Sequence, residues 1–169
     1  MRPVLDQRDS GVDIALFIFT LLGALVVQAV ASRWYSGMAI FLNLPLIALF
    51  IWSVRRPYWV SPPVLLIVGL FQDLFLGTPL GLWAIAYVIA FSVLRDREAD
   101  GAGGEIGPLS LRFAALAAAT FFCAWLAGSA AIGAPAGFQA LIGEGFLTIL
   151  LFPVFAWAFA RRKERGTYF

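Results

Sequence analysis

The sequence predicts an all-α membrane protein with six transmembrane helices, and three observations lead to that reading. Apolar residues fill 62% of the 169 positions and charged residues only 13%, about half the charged share of an ordinary soluble domain. Mean hydropathy is +0.89. The apolar residues fall into six unbroken, non-alternating runs, and in lipid such runs satisfy their backbone as helices. The Lys and Arg residues gather in alternate connections between the runs. At roughly 20 residues per span, six spans and short links fill the chain. It therefore reads as one membrane domain, 1–169, with no room for a separate soluble one.

The first run, Val12–Ala31, ends in Ala29-Val30-Ala31, which resembles a signal-peptidase site. It is longer than a signal peptide's apolar core, and its leader carries Asp6, Asp9 and Asp13 beside Arg2 and Arg8. It is expected to stay as a helix. The second run, Gly37–Val54, holds Asn43 and Pro45, and the proline predicts a kink. The third, Val60–Leu76, opens at Pro62-Pro63, which suit a first helical turn, and carries Gln72 and Asp73. The fourth, Pro79–Leu94, reads as a helix with Thr78 at its N-cap and Pro79 at its first position. Such a helix is about 24 Å long, short of a ~30 Å hydrocarbon core. The turn before it is thus expected below the outer surface. The fifth run is Leu109–Ile132. The sixth, Phe138–Ala160, carries Glu144 and Pro153, a second expected kink.

Charge sets the orientation. Arg2, Arg8, Arg55, Arg56, Arg95, Arg97, Arg112, Arg161, Arg162, Lys163 and Arg165 all fall on one side when connections alternate, and Arg33 alone on the other. The positive-inside rule places that side, and both termini, in the cytoplasm. Trp34 and Tyr35 read as outer interfacial anchors, and Trp52, Tyr58 and Trp59 as inner ones. The longest link, Arg95–Pro108, is polar, glycine-rich and cytoplasmic in this frame. The basic tail Arg161–Arg165 reads as a topology anchor that attracts anionic membrane lipid.

Much chemistry is excluded. The chain has no histidine and one cysteine, Cys123, inside a span. That removes histidine acid–base work, histidine metal sites and internal disulfides; Cys123 reads as a packing residue. No nucleophile–base pair, metal-ligand cluster or phosphate loop stands out, so the reading is no enzyme, no cofactor and no metal. The basic residues lie in membrane flanks, which speaks against nucleic acid.

The candidate site residues lie in the spans. An ionised side chain at mid-bilayer costs at least ~2.5–3.5 kcal/mol, so Asp73 and Glu144 are expected to face protein or water. Gly69, Asp73 and Gly77 share one helical face, and Gly81 continues their spacing beyond the turn. Small residues so spaced admit close approach by another helix. Two readings of Asp73 stay open: it caps the free N–H groups opening the fourth helix, or it faces a groove used by a partner helix or a small ligand. Glu144, six residues into its run, is expected at a similar depth. Two carboxylates there would not both ionise, which admits a proton relay; the plainer reading is a protonated or solvated Glu144. Gln28, Asn43, Gln72 and Gln139 are candidates for helix–helix hydrogen bonds.

The stretch Phe41–Phe91 resembles the MreD family of rod shape-determining membrane proteins. The resemblance is carried by Asn43 with Pro45, by Arg55-Arg56-Pro57, by Gly69 and Asp73, and by the turn Gly77-Thr78-Pro79-Leu80-Gly81. The end, "FLTILLFPVFAWAFARRKER", is similar too. The fifth span and the Arg95–Pro108 link show nothing diagnostic. The resemblance implies a helical bundle like the substrate-binding subunits of energy-coupling-factor transporters. It also implies a non-catalytic scaffold or regulator of side-wall peptidoglycan elongation, in the bacterial inner membrane. MreC is the partner so implied, with RodA, its transpeptidase and MreB in the wider complex. Asn43, Pro45, Gly69, Asp73, Gly77, Pro79 and Gly81 are then the expected partner-binding residues, for MreC or a second copy of the chain. A small-molecule-binding transporter subunit is the alternative.

Overall fold

The computed structural model describes residues 6–34, 42–95, 106–133 and 138–164. Within them the chain forms six α-helices and no strand: α1 (Asp6–Trp34), α2 (Leu44–Arg55), α3 (Pro62–Leu76), α4 (Leu82–Arg95), α5 (Ile106–Ile132) and α6 (Phe138–Glu164). The expected anchor Tyr35, the start of the second run at 37–41, most of the Arg95–Pro108 link and the end of the basic tail lie outside the described residues, as do the Trp34 and Gln139 side chains.

Two helical segments, Gly11–Ser32 and Gly107–Ala131, are long and apolar enough to cross a membrane. The other apolar segments are shorter. The 12, 15 and 14 residues of α2, α3 and α4 correspond to about 18, 22 and 21 Å.

The helices close into a ring. α1 packs on α2 and α3, α3 on α4, α4 on α5, α5 on α6, and α6 returns to α2. Each helix contributes what its sequence allows. α1 presents one stripe, Phe17, Leu21, Leu25 and Gln28, to the interior while Phe19, Leu22 and Val26 stay exposed, the 3.6-residue period of a peripheral helix. α2 is enclosed on nearly all sides: Pro45, Leu46, Ile47, Leu49, Phe50, Ile51, Trp52 and Ser53 are buried. Its Phe50 meets Phe113 of α5 and Phe152 of α6 edge-on at 5.2 and 5.3 Å, and those two rings stack at 4.0 Å. This buried trio ties three helices together with geometry that aromatic pairs favour.

Two helix starts differ from expectation. The second helix begins at Leu44, not Gly37. Asn43 is its N-cap, accepting from the Leu46 N–H through Oδ1 at 3.1 Å, and Pro45 lies in the first turn. There a missing N–H costs nothing, so Pro45 starts the helix and does not kink it. The fourth helix begins at Leu82, not Pro79, for reasons given below. Pro153 does lie inside α6, where it removes the bond that would close on the Ile149 carbonyl.

At the end that the charge pattern assigns to the cytoplasm, Trp52 is 4% exposed. It is a core residue, not a lipid-facing anchor. Its indole donates to Thr20 Oγ1 at 2.9 Å, meets Phe17 edge-on and stacks on Trp59. Arg56 lies over the Trp59 ring and pairs with Asp13 at 2.8 Å. The pair is solvent-facing, and such pairs contribute ~0–1 kcal/mol. Arg56→Ala is accordingly expected to lower the unfolding midpoint in detergent by no more than about 4 °C.

Candidate functional site

The site grows out of the α3–α4 hairpin. α3 ends at Gly77, which takes φ +69° and sends its N–H back to the Asp73 carbonyl; only glycine adopts that left-handed cap freely. Pro79 and Leu80 carry the chain over the tip, and Gly81, at φ +97°, turns it into α4. The Gly81 carbonyl accepts the first helical bond, from Ile85 N–H at 2.9 Å.

The carboxylate that caps α4 comes from α3. Asp73 Oδ2 accepts from the Gly81 N–H at 2.9 Å; its Oδ1 accepts from the Trp83 N–H at 3.1 Å and from the Thr78 hydroxyl at 2.7 Å. Thr78 therefore donates to the cap and is not itself the cap. An anion at a helix N-terminus also meets the favourable end of the macrodipole. The side chain is completely buried, yet three donors stand around it. This geometry realises the capping reading of Asp73.

Gly69 lies one turn before Asp73 on the same face. A Cβ built there would run into the backbone of Ala84 and Trp83. The glycine marks the place where α3 and α4 touch backbone to backbone. The close approach expected at this face is thus made by the chain's own α4, and neither Gly69 nor Asp73 opens onto a groove. Gly77, Pro79 and Leu80 are exposed at the tip, and Gly81 is half-buried. A Cβ at Gly77 would meet nothing.

Behind the hairpin lies a second polar cluster, centred on Tyr87. Its hydroxyl sits 2.9 Å from Asn43 Oδ1 and also contacts Gln72 Oε1. One hydroxyl has one proton to donate, so the Gln72 contact is a full hydrogen bond when that amide turns its NH₂ toward the phenol. The Asn43 N–H donates to Thr148 Oγ1 at 3.0 Å, and the Thr148 hydroxyl donates to the Glu144 carbonyl at 2.7 Å. Asn43, Gln72, Tyr87 and Thr148 are all at most 1% exposed. The cluster joins α2, α3, α4 and α6.

Glu144 is half-buried on α6. Its carbonyl accepts from Thr148, which ties it to Asn43, and Asp73 follows Gln72 in α3. The structure thus gathers Asn43, Pro45, Gly69, Asp73, Gly81 and Glu144 toward one end of the ring. At the other end a small, partly open pocket is lined by Ser53, Val60, Leu65 and Phe91. Among the described residues no group of three or more His, Cys, Asp or Glu could hold a metal.

Sequence reasoning missed Tyr87, Trp83 and Thr148. An aromatic in an apolar helix looks the same whether its polar tip is used or idle. A signal was present in Trp83 and Tyr87, which share a face at i, i+4. Tyr87→Phe removes the hub's hydroxyl at constant shape. A net loss of about 1–2 kcal/mol is expected, read as a lower midpoint of thermal unfolding in detergent.

Comparison with family models, with characterised proteins and with solved structures gives no significant match.

Proposed function

We propose that this chain is a multi-pass protein of the bacterial inner membrane, with six spans and both termini in the cytoplasm. In this reading it serves as a non-catalytic scaffold of the rod-shape peptidoglycan elongation machinery, as its resemblance to MreD implies. MreC is its first partner, RodA with its transpeptidase and MreB stand in the wider complex, and self-association is a further way of using the same surface.

One observation carries the reading. Six of the residues on which the resemblance rests build one end of this fold, while Arg55-Arg56-Pro57 close α2 at the other: Asn43 and Pro45 start α2, Gly69 is the α3–α4 contact, and Asp73 with Gly77 and Gly81 forms the hairpin turn. A motif spread over some forty residues that meets in space is what a shared architecture would impose. The chemistry agrees, since Asn43, Gln72, Asp73 and Tyr87 are spent on contacts between helices.

Because α4 already occupies the Gly69–Asp73 face, the partner surface is assigned to what the hairpin leaves outside: Gly77, Pro79 and Leu80 at the tip and Leu74 on the outer face of α3. Leu74 and Leu80 are 66% and 74% exposed. Leu74→Ser with Leu80→Ser leaves the interior intact. Loss of MreC from the detergent-purified complex is the expected result. Undiminished co-purification by that double variant rejects the surface, and failure of the wild-type chain to bring down MreC rejects the scaffold reading.

A further inference from the structure

Five buried side-chain atoms have no hydrogen-bonding partner among the described residues: Gln28 Nε2 and Oε1, Asn43 Nδ2, Gln72 Nε2 and Trp83 Nε1. Their side chains are 3%, 0%, 1% and 3% exposed. Four of the five atoms are donors that lack an acceptor. Turning the Gln72 amide supplies its NH₂ with the Tyr87 oxygen but leaves Oε1 bare, so the deficit does not vanish.

These atoms are gathered, not scattered. Asn43 and Gln72 both contact the Tyr87 oxygen, and the O and N of one amide are only ~2.3 Å apart. Both NH₂ groups therefore lie within about 5 Å of that hydroxyl. Trp83 is one turn before Tyr87, with ring centroids 5.9 Å apart. α1 runs antiparallel to α2, since Asp13 meets Arg56 and Thr20 meets Trp52. Two turns beyond Thr20, Gln28 falls level with the first turn of α2, the end that Asn43 caps.

We propose that this end of the ring is a hydration site, a small cluster of water molecules held between α1, α2, α3 and α4. The waters accept from Asn43 Nδ2, Gln72 Nε2 and Trp83 Nε1 and donate to Gln28 Oε1. Water fits where other species do not. A cation is repelled by a wall of N–H donors. An anion is opposed by the buried Asp73 carboxylate, next in the chain to Gln72. A side chain from another protein has no path to groups this enclosed. Buried water typically makes about three hydrogen bonds to otherwise unsatisfied groups, so the five atoms here suit more than one water. The inference is independent of the scaffold reading.

The test is radiolytic hydroxyl-radical footprinting of the full chain in nanodiscs, with mass-spectrometric readout and H₂¹⁸O exchange. Bound water generates radicals in place and labels the side chains it touches. Corrected for intrinsic reactivity, Tyr87 and Trp83 are expected to label several-fold faster than Phe50, Phe113 and Phe152, which are equally buried. Their ¹⁸O uptake is expected to lag behind that of exposed Tyr58. Gln28→Leu with Gln72→Leu is expected to lower the Tyr87 and Trp83 rates several-fold and leave the phenylalanines unchanged. Labelling of Tyr87 and Trp83 no faster than that of the phenylalanine trio in the wild-type chain overturns the proposal. So does an organic molecule retained at one per chain in native mass spectra, which would be the acceptor instead.

Discussion

Asp73→Leu is expected to be the most damaging single substitution in the chain. Leucine keeps the branch at Cγ but is bulkier, which crowds a completely buried site, and the Gly81 and Trp83 N–H groups and the Thr78 hydroxyl lose their acceptor together. A stranded donor in a buried setting costs about 1–3 kcal/mol; the Trp83 N–H is fully buried, and the Gly81 N–H and Thr78 hydroxyl partly so. A net loss of about 3–5 kcal/mol follows, which for a chain of this size is roughly a 10 °C drop in the unfolding midpoint. Asp73→Asn discriminates the cause. It keeps one acceptor oxygen, so Thr78 and Trp83 remain served, but its NH₂ confronts the Gly81 N–H donor to donor. An intermediate loss is expected, measured by thermal unfolding of the detergent-solubilised chain. An Asp73→Leu chain as stable as the wild type would falsify the capping account.

Gly69→Ala ranks second, for a steric reason. The added methyl would occupy the space of the Ala84 backbone, with parts of Trp83 beside it. Backbone cannot step aside as a flexible side chain can. α3 and α4 must separate, and separation drags Asp73 away from its three donors. Ordinary overpacking costs about 1–3 kcal/mol; here the upper end or beyond is expected. Gly77→Ala is the matched control, since its Cβ would meet nothing and only the left-handed backbone at φ +69° objects, a cost of about 1–2 kcal/mol. Equal stabilities for the two alanine variants would show that crowding at Gly69 is not decisive.

The six helices were legible because apolar runs of this purity leave the backbone few alternatives. Two helix starts were not, and each failure has a cause. The apolar residues Ile40–Leu42 run smoothly into the second helix, hiding the N-cap at Asn43, although an asparagine two positions before a proline is itself a start signal. At Thr78-Pro79 the local cap signature was misleading. The acceptor that α4 uses comes from eight residues upstream, and a cap borrowed from another helix leaves no local trace. The acid at position 73 was rightly expected to lie against polypeptide. The face of Gly69 was read correctly as a contact surface, but periodicity does not say whose helix it meets. Trp52 shows the same gap, because a tryptophan near a basic flank suits an interface and a core equally well. The Tyr87 hub needed tertiary proximity, since Asn43 and Thr148 are 105 positions apart.

The Asp73 clamp has a consequence for biogenesis. A chain leaving the ribosome exposes residue 73 before residues 81 and 83 exist. Until they emerge, the acid has no donors, and if α3 spans the bilayer as proposed, its release from the translocon into hydrocarbon carries the full penalty of an unpaired polar group. The third helix therefore has reason to wait at the lateral gate for the fourth. On the six-span reading the two are then expected to enter the bilayer as a closed hairpin, and paired insertion follows from the turn itself.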